Sequence, residues 1–271
     1  MLHQRRERFL LVSRKNQPHD GHAFSRAMRG EVSSATAAST RRARSVAAPA
    51  ASMSTTRSTV RSAPRDARSR VRGAGASPGL VYVDAHADFA TRQESATGSP
   101  ASMCLALAVG RGDSPLAELG GDAPLVRPEH VVVVGRRDED EPWYGQEALD
   151  AGPVLDLSHE WMRARGAAAT ASAALDRVAR PDVGGFWIHV DADVLDPSVL
   201  PAVDSPEPGG LELDELAAVL APLVRHPRAL GMELTIYDPH LDPDRTSAAR
   251  LATLVERVLD GGRVGPARRI S

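Results

Sequence analysis

Largely continuous runs of apolar residues, separated by polar and amphipathic stretches, recur along the chain from residue 78 onwards. Apolar residues that do not alternate with polar ones are typical of strands that are covered on both faces of a sheet. The pattern therefore predicts five buried strands, at residues 80–83, 130–134, 153–157, 186–190 and 228–235.

Amphipathic helices are predicted between and after these strands. One helical face carries Leu213, Leu216, Leu220 and Leu223. The last helix is predicted to begin near Asp242-Pro243, a cap followed by a first-turn proline, and to stop at Gly261-Gly262. Its apolar face comprises Ala248, Leu251, Leu254, Val255 and Val258. Alternating strands and helices predict a three-layer α/β/α fold with a mostly parallel sheet, in which ligands bind at the carboxyl ends of the strands.

Residues 1–77 differ in composition from the rest of the chain. They carry 16 Lys or Arg against 4 Asp or Glu, which leaves 17 of the 33 basic and 31 of the 35 acidic residues for 78–271. The segment is rich in Arg, Ser and Ala, and it cannot bury enough apolar surface to offset its ordering entropy. We expect residues 1–77 to be disordered and residues 78–271 to form one folded domain.

Three origins of this basic segment are open. It fits an organelle transit peptide, a basic arm that binds nucleic acid, or the product of reading a gene out of frame. The third is favoured because the chain has one lysine, Lys15, against 32 arginines, as out-of-frame reading of a GC-rich gene would give.

The remaining composition narrows the functional classes. Hydrophobic residues make up 42% of the chain, enough for a sizeable core, and no apolar run approaches the roughly 18 residues of a membrane span. Cys104 is the single cysteine, which excludes an intramolecular disulfide and fits a reducing compartment, so we expect a cytoplasmic location. The acidic body and the absence of a binding motif argue against nucleic acid as a partner.

Two acidic clusters directly follow predicted strands. The first is Asp84-Ala-His86-Ala-Asp88, and the second is Asp191-Ala-Asp193. Because alternate residues of an extended chain point the same way, the carboxylates and the imidazole of each cluster can converge. Oxygen-rich donor sets with one nitrogen suit divalent ions such as Mn²⁺.

A single Asp-x-Asp after a strand is usually a helix cap or a turn. Two acidic clusters at strand ends of one parallel sheet would meet, however, and their mutual repulsion requires cations nearby. Two metal ions about 3.5–4 Å apart would neutralise the clusters and activate a bridging water. The combination therefore favours a binuclear metal site.

Four stretches of the sequence resemble the arginase and agmatinase (ureohydrolase) family, which includes formimidoylglutamase. Val83–Asp88 resembles its Asp-Ala-His-x-Asp signature, and His189–Pro197 resembles its Ser-x-Asp-x-Asp-x-x-Asp-Pro signature. Residues 198–211 are similar to the Pro- and Gly-rich loop that follows, and Gly231–Pro239 is similar to the family's late strand. The resemblance covers about residues 78–260, in order.

The resemblance implies an arginase/deacetylase-like fold and a homo-oligomeric hydrolase with two Mn²⁺ ions. Such an enzyme cleaves a C–N bond of a guanidino compound, similar to arginine or agmatine, with a metal-activated hydroxide. The implied metal ligands are Asp84, His86, Asp88, Asp191 and Asp193. Asp196 is expected to shape the turn behind them, and His189 to be a packed, hydrogen-bonded histidine. Glu233 is a candidate catalytic residue, and Thr97 and Ser99 are candidates for substrate binding.

The sequence also departs from the family. A Gly-Gly-Asp-(His or Cys) segment that supplies a further ligand in the family has no counterpart around residues 57–70. The strands that precede it are missing too, so we expect a fold that is incomplete at its N-terminus and has an exposed sheet edge. Ala101 stands where arginases have a proton-shuttling histidine, and Ile236 stands where they have a guanidinium-binding glutamate, for which Glu233 is the candidate substitute.

Three hypotheses compete at this point. The leading one is a guanidino hydrolase of this family with two manganese ions. The second is a truncated, catalytically defective family remnant with weakened metal binding. The third, a basic-tailed protein that binds nucleic acid, is the weakest.

Overall fold

Within the part of the chain that the structure describes, six parallel strands form one sheet. The computed structural model describes residues 77–95, 98–112, 124–139 and 145–260, and the backbone of residues 9–12. The strands are β1 (Phe9–Val12), β2 (Ser77–Val83), β3 (Val131–Val134), β4 (Leu155–Leu157), β5 (Val183–Asp191) and β6 (Ala229–Thr235). Their order across the sheet is β1-β6-β5-β2-β3-β4. The five strands predicted from the apolar runs are confirmed.

Helices cover both faces of this sheet. They are α1 (Cys104–Ala108), α2 (Gln146–Asp150), α3 (His159–Val178), α4 (Leu213–Arg225) and α5 (Thr246–Asp260). The sheet face that carries Val81, Val132 and Ile188 packs against α3, α4 and α5. The opposite face, with Leu80 and Trp187, packs against α1 and α2. Successive strand residues point to opposite faces and both faces are apolar, which produces the continuous apolar runs. The three-layer prediction is confirmed.

Strand β1 lies inside the segment that was expected to be disordered. The expectation is wrong for Phe9–Val12, which pairs with Gly231–Leu234 of β6, and for Ser77, which begins β2. The physical reason is that Phe9–Val12 is itself an apolar run, and its pairing satisfies backbone groups on the outer edge of β6. The β6 edge is therefore covered, contrary to expectation. The remaining residues up to 76 lie outside the described part of the chain, so their disorder stays a prediction.

The last helix begins later than predicted. Helix α5 starts at Thr246, and Asp242-Pro243 lies in the preceding turn. Asp242 nevertheless caps the helix, because its carboxylate accepts hydrogen bonds from the N–H groups of Ser247 (3.0 Å) and Ala248 (2.8 Å). The predicted stop at Gly261-Gly262 lies outside the described residues. No helix among the described residues is long and apolar enough to span a membrane.

Candidate metal centre

Two loops that follow the adjacent strands β2 and β5 form the candidate site. Val83 of β2 pairs with Val190 of β5 in parallel register, so the two strands end at the same edge of the sheet. Asp84 follows β2 directly, and Asp191 is the last residue of β5. The convergence expected from the sequence is therefore present at the carboxyl ends of the strands.

The first donor group consists of Asp84, His86 and Asp193, whose candidate ligand atoms all lie within 4.8 Å of one another. The Nδ1 atom of His86 lies 3.4 Å from Oδ1 of Asp84 and 3.2 Å from Oδ2 of Asp193. Oδ1 of Asp84 also accepts a hydrogen bond from the backbone N–H of His86 (2.7 Å). All three residues are buried, so their ionisation depends on one another.

The second donor group consists of Asp84, His189 and Asp191, again with ligand atoms within 4.8 Å of one another. Asp84 belongs to both groups, so the two groups are contiguous. Asp191 is held by the hydroxyl of Thr235, which donates to its Oδ2 (3.3 Å), and by the N–H of Asp193, which donates to its Oδ1 (3.0 Å). From the sequence, His189 was expected to be a packed, hydrogen-bonded histidine. Its position two residues before Asp191, on the same side of β5, was the signal that placed it near the donors.

Burial and mutual repulsion make these carboxyl groups hard to ionise. Desolvation and then the charge of Asp193 raise the pKa of Asp84 to about 6. Desolvation followed by the charges of Asp193 and Asp84 raises the pKa of Asp191 well above its usual value. Burial lowers the pKa of His86, but hydrogen bonds to Asp193 and Asp84 outweigh this effect and raise that pKa to about 12. The site is therefore short of positive charge, which is the condition that a bound cation relieves.

Asp88 joins neither donor group. Its Oδ2 accepts a hydrogen bond from the hydroxyl of Tyr82 (2.7 Å), and its backbone is left-handed, with a φ of 48°. Its carbonyl oxygen accepts hydrogen bonds from the N–H groups of Leu105 and Ala106 in α1 (3.1 Å each). The ligand role of Asp88 stays a prediction, and Tyr82 is the group that competes for its carboxylate.

Arg137, which follows β3, links the two loops to each other and is not among the residues predicted from the sequence. Its backbone N–H donates to the carbonyl oxygen of Ala85 (2.8 Å) in the loop after β2. Its guanidinium donates to the carbonyl oxygens of Asp193 (2.9 Å) and Val194 (3.3 Å) in the loop after β5. The available signal was a charged residue just beyond a buried strand, the same signal that identified the acidic clusters.

Asp138 supports the first loop from the same segment. Its Oδ2 accepts a hydrogen bond from the backbone N–H of Ala87 (2.7 Å), and its carbonyl oxygen accepts one from the side chain of Gln146. Its Oδ1 lies 3.4 Å from Arg136, whose guanidinium also donates to Asp156 (2.8 Å). This buried network fixes the backbone between His86 and Asp88 without using a metal-facing side chain.

Asp196 shapes the turn behind the second loop, as expected. Its carboxylate accepts hydrogen bonds from the N–H groups of Ser198 (2.9 Å), Gly209 (2.8 Å) and Gly210 (3.1 Å). The hydrogen bonds from Ser198 are the main cause that lowers the pKa of Asp196 to about 2. The chain approaches closely here, because a Cβ at Gly210 would lie 2.5 Å from the backbone nitrogen of Asp196.

The predicted catalytic residue Glu233 and the predicted substrate-binding residue Ser99 lie in different parts of the structure. Glu233 lies in β6, with Oε1 3.0 Å from Nδ1 of His189, and its buried Oε2 has no hydrogen-bond partner among the described residues. Ser99 caps the short 3-10 helix Pro100–Met103, where its side chain accepts a hydrogen bond from the N–H of Ala101 (3.3 Å). Thr97 lies outside the described residues. The catalytic and substrate-binding roles of these residues stay predictions.

A family model decides the classification of this chain. The model of the Arginase family matches residues 46–259, which include both donor loops. The chain belongs to the arginase family. The match begins at residue 46, so this arginase-family region extends further upstream than the boundary expected at residue 78.

Curated relatives of this arginase-family chain include two enzymes with different names. The arginase of Bacillus subtilis is 32% identical over 183 residues, which are 67% of this chain and 60% of that protein. The N(omega)-hydroxy-L-arginine amidinohydrolase of Streptomyces lavendulae is 34% identical over 181 residues, 66% of this chain and 58% of that protein. The chain thus spans about 60% of the length of the curated relatives that it matches.

Solved structures agree with the arginase fold. A crystal structure of arginase from Bacillus subtilis superposes with a TM-score of 0.76 at 20% identity and covers 96% of this chain and 100% of that chain. Formimidoylglutamase from the same species superposes with a TM-score of 0.58 at 22% identity, over 79% of this chain and 60% of that chain. At these identities the likeness establishes the fold.

Proposed function

We propose that this chain is a hydrolase that uses two Mn²⁺ ions to cleave a C–N bond of a small guanidino compound. The observation that carries the proposal is the pair of contiguous donor groups that share Asp84. The proposed ligands from the sequence signatures are Asp84, His86, Asp88, Asp191 and Asp193. Thr97 and Ser99 are proposed to contact the substrate.

The chemistry of the donors fits manganese. Each donor group offers two carboxylates and one imidazole. Such mixed oxygen and nitrogen sets suit Mn²⁺, whereas Mg²⁺ prefers oxygen ligands in near-ideal octahedral geometry. The raised pKa values of Asp84 and Asp191 support the same conclusion, because buried carboxylates this close need cations to stay ionised together.

Bound divalent ions would lower the pKa of a water molecule enough to make hydroxide available at neutral pH. The residues of this chain would hold the ions, and Asp84, which belongs to both donor groups, would place the two positions next to each other. Arg137 and Asp138 would keep the two loops at a constant separation, because they bond to backbone groups of those loops. Buried acidic walls would also attract a positively charged guanidinium group.

The substrate class is supported by the relatives. Their names, arginase and N(omega)-hydroxy-L-arginine amidinohydrolase, denote enzymes that act on arginine and on a hydroxylated arginine. For this chain we propose the guanidino class of substrate, without choosing between these two compounds.

The test measures release by the purified full chain loaded with Mn²⁺ of urea from L-arginine and agmatine, and of hydroxyurea from N(omega)-hydroxy-L-arginine. L-arginine, N(omega)-hydroxy-L-arginine and agmatine are supplied separately, and release from at least one of them is expected. Asp191→Ala should abolish it, whereas the control Asp214→Ala, an exposed residue of α4 that pairs with Arg257, should leave it unchanged. Two bound ions without urea or hydroxyurea from any of the three would refute the substrate class. Fewer than one bound ion per chain would refute the metal hydrolase and favour the defective remnant.

We also propose a cytoplasmic location and a homo-oligomeric state for this protein. The single cysteine, Cys104, supports a reducing compartment. Fractionation of the source cells and light scattering of the purified chain measure the two properties. Recovery in a membrane or secreted fraction, or a mass equal to one chain of 28.8 kDa, would contradict them.

A further inference from the structure

His189 lies in a row of three side chains that neighbouring strands place in register. Strand β5 pairs His189 with Tyr82 of β2 on one side and with Glu233 of β6 on the other. The ring of Tyr82 stacks on the imidazole, with the centroids 4.5 Å apart and the planes 15° apart. Oε1 of Glu233 lies 3.0 Å from Nδ1 of His189. The imidazole is therefore fixed at one face and at one nitrogen.

The imidazole of His189 also lies at the metal centre. His189 belongs to the donor group with Asp84 and Asp191, and it is only 5% exposed. Since Glu233 engages Nδ1, the nitrogen that remains for a ligand is Nε2. Histidines that bind metals almost always donate their other N–H to a carboxylate or carbonyl, which fixes the tautomer and the ring orientation.

We propose that His189 is a manganese ligand through Nε2, and that Glu233 positions it by accepting the Nδ1 proton. The inference rests on the proposed function, because it needs the metal centre, and it adds a ligand that lies outside the acidic signatures. One metal position would use Asp84, His86 and Asp193, and the other would use Asp84, His189 and Asp191. Glu233 thereby has a positioning role in place of the catalytic role expected from the sequence.

Among the described residues, the second donor group contains two carboxylates, Asp84 and Asp191, besides His189. Between residue 46, where the family match begins, and Asp84, the sequence contains no histidine or cysteine. The carboxylate of Asp88, itself a proposed ligand, accepts a hydrogen bond from Tyr82 and lies in neither donor group. An imidazole from within β5 would add a nitrogen ligand to the two carboxylates without any contribution from the upstream segment.

A purely structural pair of His189 and Glu233 is the competing explanation. Such a pair buries a carboxylate whose Oε2 has no hydrogen-bond partner among the described residues, which is an unfavourable arrangement. A metal ion on Nε2 would make the Nδ1–H a stronger donor and bring positive charge close to Glu233. The two explanations differ in whether His189 affects metal stoichiometry.

The experiment titrates the full, metal-free chain with Mn²⁺ and follows the free ion by EPR. The unmodified protein is expected to bind two ions per chain. His189→Phe keeps a ring that can stack on Tyr82 but removes both nitrogens, so it should bind about one ion. Glu233→Gln should keep both ions but weaken one of them about 10–100-fold.

His130→Phe is the matched control. His130 is also a buried histidine, but it precedes β3, at the opposite end of the sheet, and pairs with Asp182 (3.4 Å). This variant should bind both ions as the unmodified protein does. Histidine ¹⁵N NMR adds an independent readout, because Zn²⁺ should shift Nε2 of His189 while Nδ1 keeps its proton.

The outcomes separate this inference from the proposed function. If the unmodified protein binds no manganese, the inference and the proposed function are both refuted. If it binds two ions and His189→Phe also binds two with unchanged affinity, the inference falls while the proposed function stands. If circular dichroism shows that His189→Phe does not fold, the manganese affinity of Glu233→Gln and the Nε2 shift test the inference instead. The inference is refuted if neither the affinity nor the shift changes.

Discussion

Replacing Arg137 tests how the two loops of the metal centre are held together. Its guanidinium donates to four carbonyl oxygens, those of Asp193, Val194, Glu207 and Pro208. Arg137→Met keeps much of the aliphatic stem and removes every donor. Arg137→Lys keeps the positive charge but replaces the planar fork by a single ammonium group.

The exposure of the acceptors sets the size of the effect. The Glu207-Pro208 turn is exposed, so water can replace Arg137 there. The carbonyl of Val194 keeps a second donor, the N–H of Leu211 (2.9 Å). Asp193 is only 3% exposed, and its carbonyl would lose its guanidinium partner. Leaving a buried acceptor unsatisfied costs about 1–3 kcal/mol, and weakening the Val194 contact adds up to about 1 kcal/mol, so we expect Arg137→Met to lose about 1–4 kcal/mol.

Urea unfolding of the metal-free protein, followed by circular dichroism, measures this loss. Arg137→Lys is expected to lose most of the same free energy of unfolding, since it cannot reach both loop carbonyls at once. Arg257→Met is the control, because Arg257 forms an exposed ion pair with Asp214, and such pairs contribute about 0–1 kcal/mol. If Arg137→Met loses no more free energy of unfolding than Arg257→Met, the role of Arg137 in holding the two loops together is refuted.

Two further predictions concern the same site. Gly210→Ala would bring a Cβ to 2.5 Å from the backbone nitrogen of Asp196, so the free energy of unfolding should fall by about 1–3 kcal/mol, and an unchanged thermal midpoint would contradict this. The pKa of Asp84 is raised to about 6 in the folded protein, above about 3.9 in the unfolded chain, so the metal-free protein should lose stability as the pH rises from about 4 to about 6. The loss should be smaller in Asp84→Asn, and urea unfolding across this pH range would contradict the prediction if stability rose instead.

The sequence was sufficient for the strands that have apolar neighbours on both sides. Runs such as Val131–Val134 are apolar at every position because both faces of the sheet are covered by helices. Strand β1 could not be predicted in the same way. Phe9–Val12 is short and stands in a polar, Arg-rich segment, and its partner Gly231–Leu234 is distant in the chain. Pairing between distant segments leaves no local periodic signal.

The candidate site was predictable to the extent that its residues follow strands directly. Asp84 and Asp191 carry that signal, and the structure brings them together. His189 does not carry this signal, because a histidine inside an apolar strand has the same local sequence pattern whether it packs in the core or binds a metal. Its hydrogen-bond partner Glu233 lies on another strand, so the pairing leaves no local signal. Arg137 was not predicted because its acceptors are backbone carbonyls, which every residue type has and which the sequence therefore does not mark.

The metal centre and the register of the sheet depend on each other. Tyr82, His189 and Glu233 are direct neighbours only in the observed pairing of β2, β5 and β6. A slip of one residue would turn each of these side chains to the opposite face, where α3, α4 and α5 pack on the sheet. The slip would also separate Asp84 from Asp191, because these residues come directly after Val83 and Val190, which pair with each other. Donors placed by strand register, His189 and Asp191, are held at a fixed distance before any ion arrives, and a preformed site of this kind loses less entropy when it binds metal.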